Sequence, residues 1–421
     1  MRIAMIAYTP YAFDARVRRA AEALGERGHQ VDIFAVSHGG TNAINDDGPL
    51  RGHFLRMRRK QTGLARYAFE YGVFFSWAFI LVSLLHPRRR YDVVYVHNMP
   101  NFLVFAGLFA KLGGAKIVLD VHDPAIELLA AIRGSDLPQW VQRLANAEER
   151  ISISFSDRLI TVNEMMRTRL NAVSRRPVEV VMNLPDPERF VALEASRDKG
   201  SLDWIVYNGS IAHRNGLDLV MRAFALIADE FPTLRFRVIG EGPALESVVR
   251  LAENLGVADR VEFPGLVPYD QIPFLLSGAT AGISPQRGGV FGSLVFSMKV
   301  AEYVALGLPV ICSGTPTMRH YFSDDELLFF EPESTEDLAR AIRELLTSPE
   351  AAEERAARSR KKLDKLAWPV QKETLVNTVE ALAGSGKFHS WRKAGQRSPV
   401  TSRVRRGRIA EQKDREITRH V

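Results

Sequence analysis

Lys299 and Glu302 stand three residues apart in the run Ser297-Met298-Lys299-Val300-Ala301-Glu302-Tyr303-Val304-Ala305-Leu306-Gly307-Leu308-Pro309-Val310-Ile311. The run reads as a short helix that stops at Gly307 and turns through Pro309 into a buried strand. At helical spacing Lys299 and Glu302 share one face. Ser297 is placed to cap the helix, whose free N–H groups and positive dipole end suit an anion such as a diphosphate. A cation and a carboxylate beside such an end fit a nucleotide sugar, with Lys299 near phosphate and Glu302 accepting from the ribose diol. The competing reading is a surface ion pair on an ordinary helix.

The elements that would position these residues alternate between strand and helix, the pattern of a parallel sheet covered by helices. In the first half, strand signals fall at Arg2–Tyr8, Gln30–Val36, Tyr91–Val96, Lys116–Val121, Arg158–Val162 and Val178–Met182. Helices are expected at Asp14–Arg27, Phe102–Leu112 and across the apolar stretch Phe69–Leu85. Ligands of open sheets gather at the C-terminal ends of strands, which is where His97, Asn98, His122 and Asp123 fall. A second alternating block begins near Leu202. Its strands lead into Asn208-Gly209-Ser210, Gly240-Glu241-Gly242, Pro264-Gly265 and Ser284-Pro285. The expected division is therefore 1–195, 196–366, a last helix over 367–383, and a tail over 384–421.

The bulk numbers agree with two domains, since 421 residues exceed one ordinary core. Hydrophobic content of 46% and charged content of 25% are those of a soluble globular chain. The single cysteine, Cys312, excludes an internal disulfide framework and reads as a buried structural thiol in a reducing compartment. The net charge of +7 is concentrated at the end, where residues 384–421 carry 11 Lys and Arg against 3 Asp and Glu. That tail has little apolar periodicity, so disorder is expected. It is either a plain solvated tail or an arm for acidic lipid or nucleic acid. The apolar opening Ile3–Tyr8 is too short for a signal peptide and runs into Thr9-Pro10, a strand-then-loop pattern.

Within 51–90, Phe74, Phe75, Trp77, Phe79, Ile80, Leu81, Leu84 and Leu85 crowd together. Arg56, Arg58, Arg59 and Lys60 precede them, and Arg88, Arg89 and Arg90 follow. Three readings compete: a buried helix, a helix lying on an acidic bilayer, and a true span. A span needs about 20 apolar residues, and this stretch falls just short. Aromatics with flanking Arg and Lys favour the interface.

Taken in order, these pieces resemble the GT-B glycosyltransferases, in particular the retaining family 4, over nearly all of residues 1–383. The resemblance rests on Asp14-Ala-Arg16-Val-Arg18 with Arg27-Gly-His-Gln-Val, and on Asn208-Gly209-Ser210 with Arg214-Asn215-Gly216-Leu217. Val238-Ile-Gly240-Glu-Gly242-Pro, Val261-Glu-Phe-Pro-Gly265, Ser297–Ile311 and Ala367-Trp368 follow at the family's intervals. It implies two doubly wound Rossmann-like α/β domains facing across a cleft, with the last helix crossing back to the first domain. The first domain would bind the acceptor and the second the nucleotide sugar.

By position, the resemblance gives Glu302 the ribose, and gives Lys299, Gly209, Ser210, Arg214 and the helix start at Ser297 the diphosphate. Gly265 would present backbone groups to the base, and Gly288 and Gly289 would approach the donor sugar. His122 matches a histidine that lies near the anomeric carbon in relatives, with Asp123 beside it as the second catalytic candidate. Asp14, Arg16, His97 and Asn98 fall on the acceptor side. The chain departs from the family at Leu294, where a glutamate is common, and at Ser210 and Asn215, where Arg and Lys are common.

The expected reaction is transfer of a sugar from a nucleotide-diphosphate donor to an acceptor hydroxyl with anomeric retention. No cofactor or metal is expected, since no Asp-x-Asp motif stands out and the family works without one. Expected partners are the nucleotide sugar, a saccharide or lipid-linked acceptor of envelope polysaccharide or glycolipid synthesis, and an anionic membrane surface, without nucleic acid. That places the chain in the cytoplasm, peripheral on the inner face of the membrane. The alternatives are a GT-B epimerase or other non-transferase enzyme, and a non-catalytic basic binding protein.

Overall fold

The computed structural model describes residues 1–37, 48–57, 64–133, 137–185, 189–190, 203–268 and 271–384. The first domain holds seven strands: β1 (Arg2–Pro10), β2 (Gln30–Ser37), β3 (Leu50–Arg56), β4 (Val93–His97), β5 (Lys116–Val121), β6 (Arg158–Thr161) and β7 (Val178–Val180). All pair in parallel, in the order β3-β2-β1-β4-β5-β6-β7. Six helices cover them: α1 (Ala15–Glu26), α2 (Leu64–Arg89), α3 (Leu108–Leu112), α4 (Ala125–Arg133), α5 (Gln139–Phe155) and α6 (Glu164–Val173). The expected helix over Phe102–Leu112 divides into a 3-10 turn, Asn101–Gly107, and the short α3.

The second domain repeats the plan with β8 (Asp203–Asn208), β9 (Leu234–Ile239), β10 (Val261–Gly265), β11 (Ala281–Ser284), β12 (Val310–Ser313) and β13 (Leu328–Phe330). Their order is β10-β9-β8-β11-β12-β13, again parallel. Its helices are α7 (Leu217–Ile227), α8 (Leu245–Asn254), α9 (Ile272–Ser277), α10 (Gly289–Leu294), α11 (Met298–Ala305), α12 (Pro316–Tyr321), α13 (Thr335–Thr347) and α14 (Pro349–Leu366). These are two Rossmann-like α/β domains. Each strand order reverses once, between β1 and β4 and between β8 and β11, and such a reversal leaves a crevice above the strand ends.

Strand alternation sends neighbouring residues to opposite faces. On β1, Ile3, Met5 and Ala7 pack with α1, while Ala4, Ile6 and Tyr8 pack toward α2 and the Asn101–Gly107 turn. The last helix, α15 (Trp368–Gly384), leaves the second domain and lays Leu375, Val376 and Val379 on the α1 side of the first sheet. Arg27–Glu373 (2.5 Å) and His29–Glu380 (3.0 Å) fasten it there, and the Gln371 side-chain oxygen accepts from the Met182 N–H in the linker.

Helix α2 bears on the three readings of the stretch within 51–90. By length and composition it is long and apolar enough to cross a bilayer. Yet Phe74, Ala78 and Val82 are fully buried in the first domain's core, and the Tyr8 hydroxyl donates to the buried Glu70 carboxylate at 2.9 Å. A helix so seated is part of the domain. Its other stripe, Phe69, Val73, Ile80 and Leu84, is exposed, so the buried and interfacial readings describe two faces of one helix. Arg58, Arg59 and Lys60, and the tail beyond Gly384, lie outside the described residues.

Candidate active site

In the second domain the strand reversal gathers the Ser297–Ile311 run with the loop after β8. Glu302 does not form the surface ion pair of the competing reading. It is 6% exposed, and one of its oxygens accepts from the Asn208 side-chain amide at 2.7 Å. Burial pushes the Glu302 carboxyl up, and Asn208 and Lys299 oppose this without cancelling it. Burial likewise pulls the Lys299 ammonium down, with Glu302 opposing and Arg214 reinforcing the shift. Lys299 and Arg214 therefore bring two positive charges to one place.

The glycine of this loop is required by its backbone. Gly209 has φ +124°, and a Cβ there would meet the Lys299 side chain at 3.1 Å. Gly240, at φ +138°, lies so close to the Gly209 carbonyl that a Cβ would stand 2.0 Å from it. The two loops thus pack backbone on backbone and hold the Gly209-Ser210 turn against Lys299.

Three donor-side expectations need correction. Ser297 occupies the N-cap position of α11, but its hydroxyl pairs with that of Ser284 at 2.8 Å and makes no cap bond. Without a side-chain cap, the Met298 and Lys299 N–H groups remain for another acceptor, while the Val300 N–H donates to the Ser297 carbonyl at 3.1 Å. The Gly265 carbonyl accepts from Gly240, which takes away one of the backbone groups expected to meet a base. The Gly288 N–H donates to Glu333 at 3.1 Å, so of the glycine pair only Gly289, exposed at φ +82°, has open space around it.

In the first domain β4 and β5 pair His97 with Asp120, and alternation along β5 brings His122 to the same face. Asp120, fully buried, is the residue that sequence reasoning missed. The Arg16 guanidinium grips both of its oxygens, at 3.0 and 2.8 Å, and the Tyr95 hydroxyl donates at 2.9 Å. Burial alone would raise this carboxyl, but Arg16 and the two histidines hold it well below the usual carboxylate range. Burial holds His97 below its ordinary value, against the pull of Asp120 3.3 Å away.

Arg16 is therefore spent on Asp120 and on the Val181 carbonyl at 2.9 Å, and Asp14 caps α1 by accepting from the Arg16 and Val17 N–H groups. His97, 1% exposed, is likewise a buried support rather than an acceptor contact. Asn98 accepts from the N–H groups of both His122 and Asp123 and donates to the Asp123 carbonyl, which fixes that turn.

His122 itself is partly exposed, with one ring nitrogen 3.9 Å from Asp120 and the other 3.9 Å from Asp123. His97, Asp120 and His122 each offer a ligand atom, all within 4.8 Å of one another, a spacing that suits a metal. The guanidinium on both Asp120 oxygens already supplies the positive charge a cation would bring.

The two halves meet around a cavity of ≈ 360 Å³. Asp14, Arg16, His122 and Asp123 line one side, and Phe291, Leu294, Val295, Phe296 and Met298, leading into α11, line the other. The Asn163 side-chain amide donates to the Leu294 carbonyl at 2.8 Å, and the Tyr321 hydroxyl accepts from the Glu164 N–H at 3.0 Å. These bonds join the domains beside the cavity.

Comparison with known proteins adds a family to this geometry. Residues 14–185 match the model of the glycosyl transferase 4-like domain, and residues 194–362 match that of the glycosyl transferases group 1. This chain is a GT-B glycosyltransferase. The glycosyltransferase is 25% identical over 363 residues to 2-deoxystreptamine glucosyltransferase of Streptomyces kanamyceticus, covering 79% of this chain and 89% of that one. Its fold is similar to that of sucrose-phosphate synthase from Thermosynechococcus elongatus, with a TM-score of 0.76 at 17% identity, over 91% of this chain and 100% of that one. It is also similar to Anabaena HepE in complex with UDP, with a TM-score of 0.64 at 13% identity, covering 91% and 100% of the two chains.

Proposed function

We propose that this glycosyltransferase moves a hexosyl group from a nucleotide-diphosphate donor to an acceptor hydroxyl with retention, by the metal-independent route of the family 4 enzymes. The observation that carries the reading is the convergence of Lys299, Arg214, Gly209 and the uncapped start of α11 beside the buried Glu302–Asn208 pair. Fixed cations and N–H dipoles aimed at a departing diphosphate stabilise the charge that develops as the glycosidic bond breaks. Glu302, held by Asn208, accepts from the ribose hydroxyls, and His122 and Asp123 stand across the cavity near the anomeric carbon. HepE, with its bound UDP, is a fold neighbour that supports a nucleotide donor.

The acceptor side carries a second feature. Exposed Phe69, Val73, Ile80 and Leu84 of α2, Phe109 and Leu112 of α3, and Trp140, Leu144 and Ile151 of α5 belong to helices on the same face of the first sheet. Phe79 packs on Phe109 at 5.5 Å, joining α2 to α3, and Phe105 packs on Phe155 at 5.0 Å, joining the 3-10 turn before α3 to α5. Exposed Arg88, Arg90, Arg143 and Arg150 accompany them. An apolar band with arginines suits the surface of an anionic bilayer, where a lipid-linked acceptor of envelope polysaccharide or glycolipid synthesis would be presented at the cytoplasmic face.

Slow transfer to water tests the reaction. With UDP-, GDP- and dTDP-hexoses, at least one donor is expected to release nucleoside diphosphate, with EDTA making no difference. Proton NMR taken before mutarotation is expected to find the freed sugar in the donor's own anomeric form. The opposite anomer contradicts retention, and loss of turnover in EDTA contradicts metal independence.

A further inference from the structure

The cavity walls differ in kind. On the first-domain side, Asp14, Arg16, His122 and Asp123 bear charge or polar nitrogen beside the apolar Pro124 and Val162, and Asn183 of the linker adds an amide. On the other side, the side chains of Phe291, Leu294, Val295, Phe296 and Met298 offer carbon and one thioether but no hydrogen-bonding group of the strength of a hydroxyl or amide. The segment's two hydroxyls are turned elsewhere: Ser293 donates to the Gly289 carbonyl at 2.7 Å, and Ser297 pairs with Ser284. The Leu294 carbonyl is occupied by Asn163. A hydroxylated sugar edge laid against this wall would give up water and find no side-chain partner, which is costly for a buried polar group. An edge of CH or CH3 would leave water at no such loss.

We infer that the donor sugar is a deoxyhexose, its deoxygenated edge against Phe291, Leu294 and Val295 and its remaining hydroxyls toward His122 and Asp123. This rests on the donor-site reading above and adds the sugar class to it. Leu294 is the specificity-determining residue of the wall, and its side chain also packs against the first domain's core. The sugar is thereby recognised only when the two halves meet around it.

The test uses the full chain and donors matched in nucleotide: UDP-glucose against UDP-6-deoxyglucose, GDP-mannose against GDP-6-deoxymannose, and dTDP-glucose against dTDP-6-deoxyglucose. The readout is kcat/KM for release of nucleoside diphosphate. The deoxy member of the productive pair is expected to be favoured about ten- to a hundredfold, the range a small apolar pocket discriminates. Leu294→Gln is expected to shift that ratio toward the hydroxylated sugar by about tenfold. Phe291→Tyr, which adds one hydroxyl to the same wall, is expected to move it the same way and serves should Leu294→Gln loosen the domain contact. Equal use of both members, preference for the hydroxylated one, or a ratio that neither variant moves overturns the inference while leaving the donor site standing. Absence of any binding of UDP, GDP or dTDP overturns the donor site, and this inference with it.

Discussion

Arg16 grips both oxygens of Asp120 inside the first domain, joining the first turn of α1 to the strand that leads into His122. The pair also reaches the linker, since Arg16 donates to the Val181 carbonyl. One buried contact therefore ties together the strand end next to His122, the opening helix and the path between domains.

Removing one partner of such a pair strands a buried charge, so Arg16→Met is expected to cost about 3–5 kcal/mol in urea unfolding. Asp120→Asn is expected to be destabilising too, with a changed acid limb. Asp120 is held below its ordinary range, so as pH falls the unfolded chain takes up this proton first and stability drops. The contribution is intact above about pH 4, the ordinary aspartate value, and is lost as pH falls toward the native one. Asp120→Asn removes that share of the slope. Parent-like unfolding curves for both variants across pH 2–7 (roughly the carboxylate range and above) would contradict the assignment.

Asn208 is expected to matter to nucleotide binding through Glu302. Ionised Glu302 accepts through both oxygens, whereas protonation turns one of them into a donor; burial has raised its carboxyl, so UDP affinity falls as pH falls through the raised value. Asn208→Ala deletes a donor to the charged form, worth about 1.5–3 kcal/mol, which moves the fall to higher pH. Calorimetric titration of UDP across pH reads the midpoint. The same midpoint in both proteins would show that Asn208 does not support Glu302.

His122→Asn is expected to lower kcat for donor cleavage by about a hundredfold with little change in donor KM, the pattern of a group acting on developing charge. A raised KM at unchanged kcat would move His122 from the reacting centre to the binding of the donor.

Ile80→Glu and Leu84→Glu lie on the exposed stripe of α2, so the melting temperature should hold. Flotation with anionic vesicles is expected to fall in both variants, and in Trp140→Glu on α5. Undiminished flotation in all three would remove the apolar band from the account.

Much of this was legible in the sequence where local pattern and chemistry coincide. The alternation of strands and helices marked out both domains, Lys299 and Glu302 share one end of α11 as their spacing implied, and Gly209 lies against Lys299 as the family resemblance implied. β3 escaped notice because Arg51, Gly52 and His53, on an outer strand, interrupt its apolar alternation. Helices α4 and α5 escaped because Ile132, Trp140, Leu144 and Ile151 face outward, which blurs the inward stripe that Ile153 and Phe155 belong to. Asp120 carried a signal, a lone carboxylate within Lys116-Ile-Val-Leu-Asp-Val, but its partner Arg16 is 104 residues away. Groups already committed to each other, as the Ser297 and Ser284 hydroxyls and the Gly288 N–H with the Glu333 carboxylate, leave no trace in spacing.

The donor site is tested most directly by thermal unfolding of the parent, Lys299→Ala and Glu302→Ala with UDP-, GDP- and dTDP-sugars. At a hundred times the dissociation constant, a ligand bound only by the folded state stabilises it by about 2.7 kcal/mol, a readable shift. The parent is expected to rise with one nucleotide class, and each variant to lose most of that rise. If both variants respond as the parent does, the diphosphate does not bind at the start of α11.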